Sequence, residues 1–145
     1  MTCRAGYQMS CDASVPFRTC LATHLSHNRS IIVHGSVPSG ATRFHINLMN
    51  SGTKDVYLHF NPRFKEGVVV RNCKHGGTWS IEERDLPCMP FGAGQCFQLE
   101  IKNEGNAFGI YSNGKKICSF SRHNQDDAID TLEIEGDVCL SCVEY

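Results

Sequence analysis

Between Tyr57 and Arg84 the chain reads YLHFNPRFKEGVVVRNCKHGGTWSIEER. The stretch gathers His59, Asn61, Arg63, Asn72, Glu82, Arg84 and the chain's only tryptophan, Trp79. Their chemistry is that of a hydrogen-bonding surface. His59 donates or accepts, Asn61 and Asn72 do both, Arg63 and Arg84 are planar forks of donors, and Glu82 accepts. Glu82 can also pair with either arginine and hold its plane still. Trp79 adds a flat apolar plate with one indole donor.

A plate beside such a fork suits a sugar ring, which has polar edges and an apolar patch of C–H groups. In galactose the axial hydroxyl leaves one face more continuously apolar, so that face can lie on an indole. A site that bonds this hydroxyl rejects the epimer, because its own polar groups would be left unpaired. Such a shallow, solvated site is expected to hold a disaccharide with a dissociation constant on the order of 0.1–1 mM, or about 4–6 kcal/mol. Taken singly, each residue has an ordinary reading: His59 as an exposed strand histidine, Trp79 as core, and Arg63 with Glu82 as a surface ion pair worth under about 1 kcal/mol. The signal is their combined order and spacing.

The elements that must position these residues have the period of strands. RFHINL sets Phe44, Ile46 and Leu48 on one face and Arg43, His45 and Asn47 on the other. YLHFNPR sets Leu58 and Phe60 against Tyr57, His59, Asn61 and Arg63, so three of the polar residues share one solvent-facing strand surface. SIIVHGSV ends at a Pro-Ser-Gly turn cluster, CFQLEI groups Phe97, Leu99 and Ile101, and Asn113-Gly114 is a strong hairpin signal. TLEIEGDVCLSCVEY adds two strand-like runs split by Gly136. No stretch shows a convincing helical period. Short alternating strands with frequent turns imply an all-β antiparallel sandwich or barrel.

The 145 residues fit one domain, with residues 1–14 read as a loose, polar N-terminal tail and 15–145 as the folded unit. A net charge of −1 gives no electrostatic case for nucleic acid or an anionic membrane as the main partner. No window approaches the roughly 20 apolar residues of a membrane-spanning helix, and the opening residues lack a signal-peptide core. Synthesis in the cytosol is the simplest expectation, with the nine cysteines held as free thiols. Cys139 and Cys142 have metal-like spacing, but on a strand they point to opposite faces, so no metal or other cofactor is expected.

The order His59-Phe60-Asn61-Pro62-Arg63, then Asn72, then Trp79-Ser80-Ile81-Glu82-Glu83-Arg84 resembles the galectins, the β-galactoside-binding lectins. RFHINL before it and MPFGAGQCFQLEI after it extend the likeness over roughly residues 15–145. The resemblance implies a two-sheet jelly-roll sandwich with a carbohydrate groove on one concave face. It implies that His59, Asn61 and Arg63 hold the axial hydroxyl and ring oxygen, that Asn72 and Glu82 bond the hydroxymethyl, and that Trp79 stacks. Arg63, Glu82 and Arg84 would reach the second sugar. Val70 would line the floor beside Asn72, and Arg43, His45 and Asn47 would form an extended subsite selecting substituents at the galactose 3-position.

Two departures from the family pattern stand out. Ser80 replaces the usual glycine after the tryptophan, and Lys65-Glu66-Gly67 stands where some galectins carry a further histidine. The implied partners are β-galactoside glycans on glycoproteins or glycolipids, with a homodimer or a second domain where crosslinking is required. The implied localisation is cytoplasmic with leaderless export. Two other classes remain open: a galectin-fold interaction protein that does not bind sugar, and a glycosidase. The latter needs two carboxyls about 5 Å or 6.5–9.5 Å apart across the scissile bond, whereas Glu82 and Glu83 are adjacent and diverge.

Overall fold

The computed structural model describes residues 2–145, and every regular element among them is a strand. One antiparallel sheet runs, edge to edge, β1 (Met9–Cys11), β12 (Cys139–Glu144), β3 (Ser30–Ser36), β8 (Cys96–Asn103), β9 (Ala107–Ser112) and β10 (Lys115–Ser121). The other runs β2 (Phe17–Cys20), β11 (Thr131–Gly136), β4 (Phe44–Met49), β5 (Val56–Arg63), β6 (Val68–His75) and β7 (Thr78–Trp79). The two sheets enclose the core of a jelly-roll sandwich, the architecture that the strand periodicity and the resemblance both anticipate.

Alternation explains the packing. Phe44, Ile46 and Leu48 of β4 and Leu58 and Phe60 of β5 are fully buried in one cluster with Val33, Leu99, Ile101 and Phe108 of the opposite sheet. Each such side chain stabilises the fold by about 1.5–3 kcal/mol. The intervening residues of β4 and β5 are left on the outer face, and the polar cluster stands there. The β9–β10 hairpin turns at Asn113 (φ 51°) and Gly114 (φ 84°), both in the left-handed region that such a turn demands. Gly136 closes β11 against β4 so tightly that a Cβ there would come within 2.8 Å of the backbone of Arg43 and Phe44.

Three expectations are corrected. Tyr57 does not share the outer face with His59: the β5 register shifts against both neighbours around this residue, and the bulge turns the ring inward, where its hydroxyl donates to Asp126 at 2.7 Å. The N-terminal segment is not a loose tail. Met9–Cys11 pairs with Cys142–Glu144, and Arg4 reaches Glu144 at 3.1 Å. Its partner strand lies at the far end of the chain, so no local pattern announces it. Within that register Cys11 faces Cys142, and the two form a disulfide, so these are not free thiols. Cys139 is exposed while Cys142 is buried, on opposite faces as the strand period requires.

Candidate functional site

Register places the polar cluster. His59 lies opposite Asn72, and Asn61 opposite Val70, across β5 and β6; Asn47 lies opposite His59 across β4 and β5. β7 brings Trp79 opposite Lys74. Past β7, Glu83 and Arg71 exchange two backbone hydrogen bonds, each 2.9 Å. That bridge directs Glu82 and Arg84, on either side of Glu83, to the same face, and turns Glu83 to the other. Arg71 fastens the segment from beneath. It is 2% exposed and donates to the Val69 carbonyl at 2.9 Å and to Asp85 at 2.6 Å.

Pro62 explains why Asn61 is an asparagine. The Phe64 N–H donates to the Thr42 carbonyl at 2.9 Å, and Arg43 bridges Arg63. By the alternation of an antiparallel ladder, the next donor to β4 would be the N–H of residue 62, aimed at the Phe44 carbonyl. Proline has no N–H. The Asn61 side chain supplies the donor instead, at 2.7 Å from the Phe44 oxygen. Its own oxygen then accepts from Arg63 Nε at 2.8 Å. The Asn-Pro-Arg run is therefore one unit in which a missing backbone donor recruits an amide, and the amide holds a guanidinium. The expected place of Asn61 is the solvent-facing surface beside the axial hydroxyl; at 2% exposed, with its amide committed to Phe44 and Arg63, it lies beneath the groove as a brace instead.

His59 is oriented by a chain of bonds that begins on β11. Arg18 holds one oxygen of Glu133 at 3.0 Å, and the other oxygen accepts from the Asn47 amide at 3.0 Å. The Asn47 oxygen therefore faces His59 Nδ1, at 2.6 Å, and Nδ1 must carry the proton. Nε2 is left as an acceptor. Burial, then the neighbouring His45 and Arg63, lower the His59 pKa to about 4, so the ring is neutral at pH 7. It packs edge-on against Trp79, with centroids 5.2 Å apart.

Four charges close an alternating ring. Arg63 approaches Glu82 at 3.8 Å and Glu66 at 3.4 Å; Arg84 approaches Glu82 at 2.9 Å and Glu66 at 3.7 Å. These exposed pairs add little to stability. What they do is fix the planes of two guanidinium groups. Asn72 is fixed too: it donates to the Ser80 carbonyl at 3.0 Å and accepts from the Cys73 N–H at 2.8 Å.

His59, Arg63, Val70, Asn72, Trp79, Ser80 and Glu82 line one open groove of about 390 Å³. Trp79 is 45% exposed, a plate standing in solvent at one wall, with the Lys74 ammonium 5.6 Å from its ring. Arg84 joins the groove through Glu82, and Asn61 through Arg63. Arg43 lines an adjoining hollow with Thr42, Lys65 and Glu66, connected through Arg63. Asn47 does not face the groove as expected. It is 8% exposed: its amide is drawn along the outer face of the sheet toward Glu133 of β11, and it acts through His59. His45 turns from the groove toward Glu133 and Glu135. Glu133 is not singled out by the sequence, and Ser80 and Glu66, which stand out there only as departures from the family pattern, both contribute to the site. Glu66 had a local signal, standing three residues after Arg63 next to a turn glycine; Glu133 had none, since only the β4–β11 register brings it near.

The family model for galactoside-binding lectins matches residues 16–145. The chain belongs to the galactoside-binding lectin family. This galectin chain is 43% identical to galectin-4 of Bos taurus over 131 residues, covering 90% of itself and 40% of that protein. It is 38% identical to the 32 kDa beta-galactoside-binding lectin of Haemonchus contortus, covering 90% of itself and 45% of that protein. The chain thus spans less than half the length of these curated relatives. The crystal structure of the Caenorhabditis elegans galectin LEC-6 superposes with a TM-score of 0.86 at 30% identity, over 93% of each chain. Sheep galectin-11, in a complex with glycerol, shares the fold, with a TM-score of 0.82 at 21% identity over 92% of this galectin and 99% of that chain.

Proposed function

We infer that this chain is a non-catalytic lectin domain that binds β-galactosides in the groove on β5–β7. The observation that carries the reading is the pairing of a half-exposed indole plate with a preset polar edge: His59 Nε2 as acceptor, and Arg63, Asn72 and Glu82 each held by its neighbours. Preset groups lose little freedom on binding, which lets a small, solvated contact select one epimer. The galactose C–H face lies on Trp79. His59 and Arg63 take the axial hydroxyl, Asn72 and Glu82 the hydroxymethyl, and Arg63, Glu82 and Arg84 the second sugar. Arg43, at the adjoining hollow, meets substituents at the galactose 3-position.

The carboxylates near the groove do not form a hydrolytic pair. Glu66 and Glu82 are bridged to Arg63 and Arg84 instead of facing each other across an open gap, and Glu83 turns to the other face. Crosslinking of glycans would come from a homodimer or from a second domain, and the greater length of the relatives is in keeping with the latter. Retention on lactose-agarose, with elution by lactose but not by sucrose, tests the reading. Passage of the folded chain straight through the column would leave an interaction protein on a galectin fold.

A further inference from the structure

Next to the groove, on the same sheet, three ligating side chains converge. The register pairs His45 of β4 with Glu135 of β11, and Asn47 with Glu133. His45 Nε2 lies 3.6 Å from Glu133 Oε1 and 3.5 Å from Glu135 Oε2, and the three donor atoms all fall within 4.8 Å of one another. Neither distance makes a hydrogen bond. One proton on Nε2 could in any case serve only one carboxylate, whereas a cation among the three serves both.

The donor types, more than the spacing, discriminate among cations. Tetrahedral zinc, with bonds of about 2.0–2.1 Å to nitrogen and oxygen, has donor–donor edges of about 3.3 Å. The two edges to His45 exceed that by a few tenths of an ångström, and the edge between the two carboxylates, within 4.8 Å, closes by rotation of the exposed Glu135 side chain. Octahedral magnesium has shorter edges, about 2.9 Å, and calcium needs six to eight oxygens. One imidazole with two carboxylates is instead a donor set for zinc or its first-row neighbours. Charge agrees. Arg18 offsets Glu133, but among the described residues no Arg or Lys pairs with Glu135. The outer shell is also in place. Glu133 is held by Arg18 and by the Asn47 amide, the kind of support that fixes a ligating carboxylate. Glu135 is exposed, which leaves the outward coordination position to water.

We propose that His45, Glu133 and Glu135 bind Zn²⁺, with water completing the tetrahedron. The site adjoins the sugar groove, His45 and His59 having ring centroids 5.2 Å apart, but needs none of the sugar contacts. Its test therefore does not depend on the lectin reading. Zn²⁺ is titrated by calorimetry into the reduced chain and into Glu135→Gln and His45→Ala, with histidine ring nitrogens followed by NMR and folding checked by far-UV circular dichroism. The free thiols bind zinc alike in all three, so the difference between isotherms isolates this site. The expected result is a zinc-binding phase in the wild type that weakens at least tenfold in both variants, together with a metal-bound shift at His45 Nε2. Identical isotherms in the three proteins, or His45 nitrogens that zinc does not move, would overturn the proposal.

Discussion

The amide of Asn61 donates to the carbonyl of Phe44 at 2.7 Å, filling the place in the β4–β5 ladder that Pro62 leaves empty. Asn61→Ala should therefore cost about 1–3 kcal/mol, the usual penalty for a buried carbonyl left without a donor. It should also release Arg63 and abolish lactose retention. In the double variant Asn61→Ala/Pro62→Ala the new backbone N–H can close the ladder. Urea denaturation should then recover much of the lost stability, while lactose binding stays lost. If stability does not return, Pro62 is not the reason for the asparagine.

Trp79 separates binding from folding. It is 45% exposed on a two-residue strand, so Trp79→Ala should change stability by less than about 1 kcal/mol. The same substitution removes the plate under the sugar and should abolish retention on lactose-agarose. Arg63→Ala should do likewise. A thermal melt beside the column experiment distinguishes a lost site from a lost fold.

The four-charge ring makes Glu66 the second carboxylate between Arg63 and Arg84. Glu66→Gln removes the carboxylate charge that faces both arginines. Stability should hold within about 0.5 kcal/mol, since the pairs are exposed. Lactose affinity should fall about two- to fivefold, because Arg63 and Arg84 then reorder on binding. Calorimetric titration measures the fall, and an unchanged constant would show that Glu82 alone holds both arginines.

The pH response follows from His59. Its folded pKa of about 4 lies below the ordinary value of 6.5, so between these values the unfolded chain binds a proton that the folded chain refuses. The stability this residue contributes is present in full above pH 6.5 and is lost as pH falls toward 4. Sugar affinity responds later, since Nε2 remains an acceptor until the folded ring is protonated. In a chelating buffer the lactose constant should keep the His59 contribution from pH 7.5 to about pH 5 and lose it as pH approaches 4. Loss centred near pH 6.5 would mean that His59 titrates as a free imidazole.

What the sequence disclosed and what it hid divide by distance along the chain. The β4 and β5 faces, the Asn113-Gly114 turn and the order of the groove residues are local, and period two was enough to find them. The exceptions are also physical. Tyr57 sits at a bulge, and a bulge inverts the alternation on which the reading depends. β1 pairs with the other end of the chain, so residues 9–11 looked like tail. Asn47 sat on the right face of the right strand but serves His59 instead of the groove, because Glu133 arrives from β11. Ser80, a departure from the family glycine, uses its backbone carbonyl to hold Asn72, a role open to any residue there.

The central claim is that a fixed polar edge beside Trp79 recognises one hydroxyl orientation. Titrating lactose and cellobiose, which differ in the configuration at C4 of the outer sugar, into the reduced chain by calorimetry tests it most directly. Lactose should bind with a constant on the order of 0.1–1 mM, and cellobiose should give no measurable heat of binding. Equal affinity for the two, or binding of neither by the folded chain, would contradict the account.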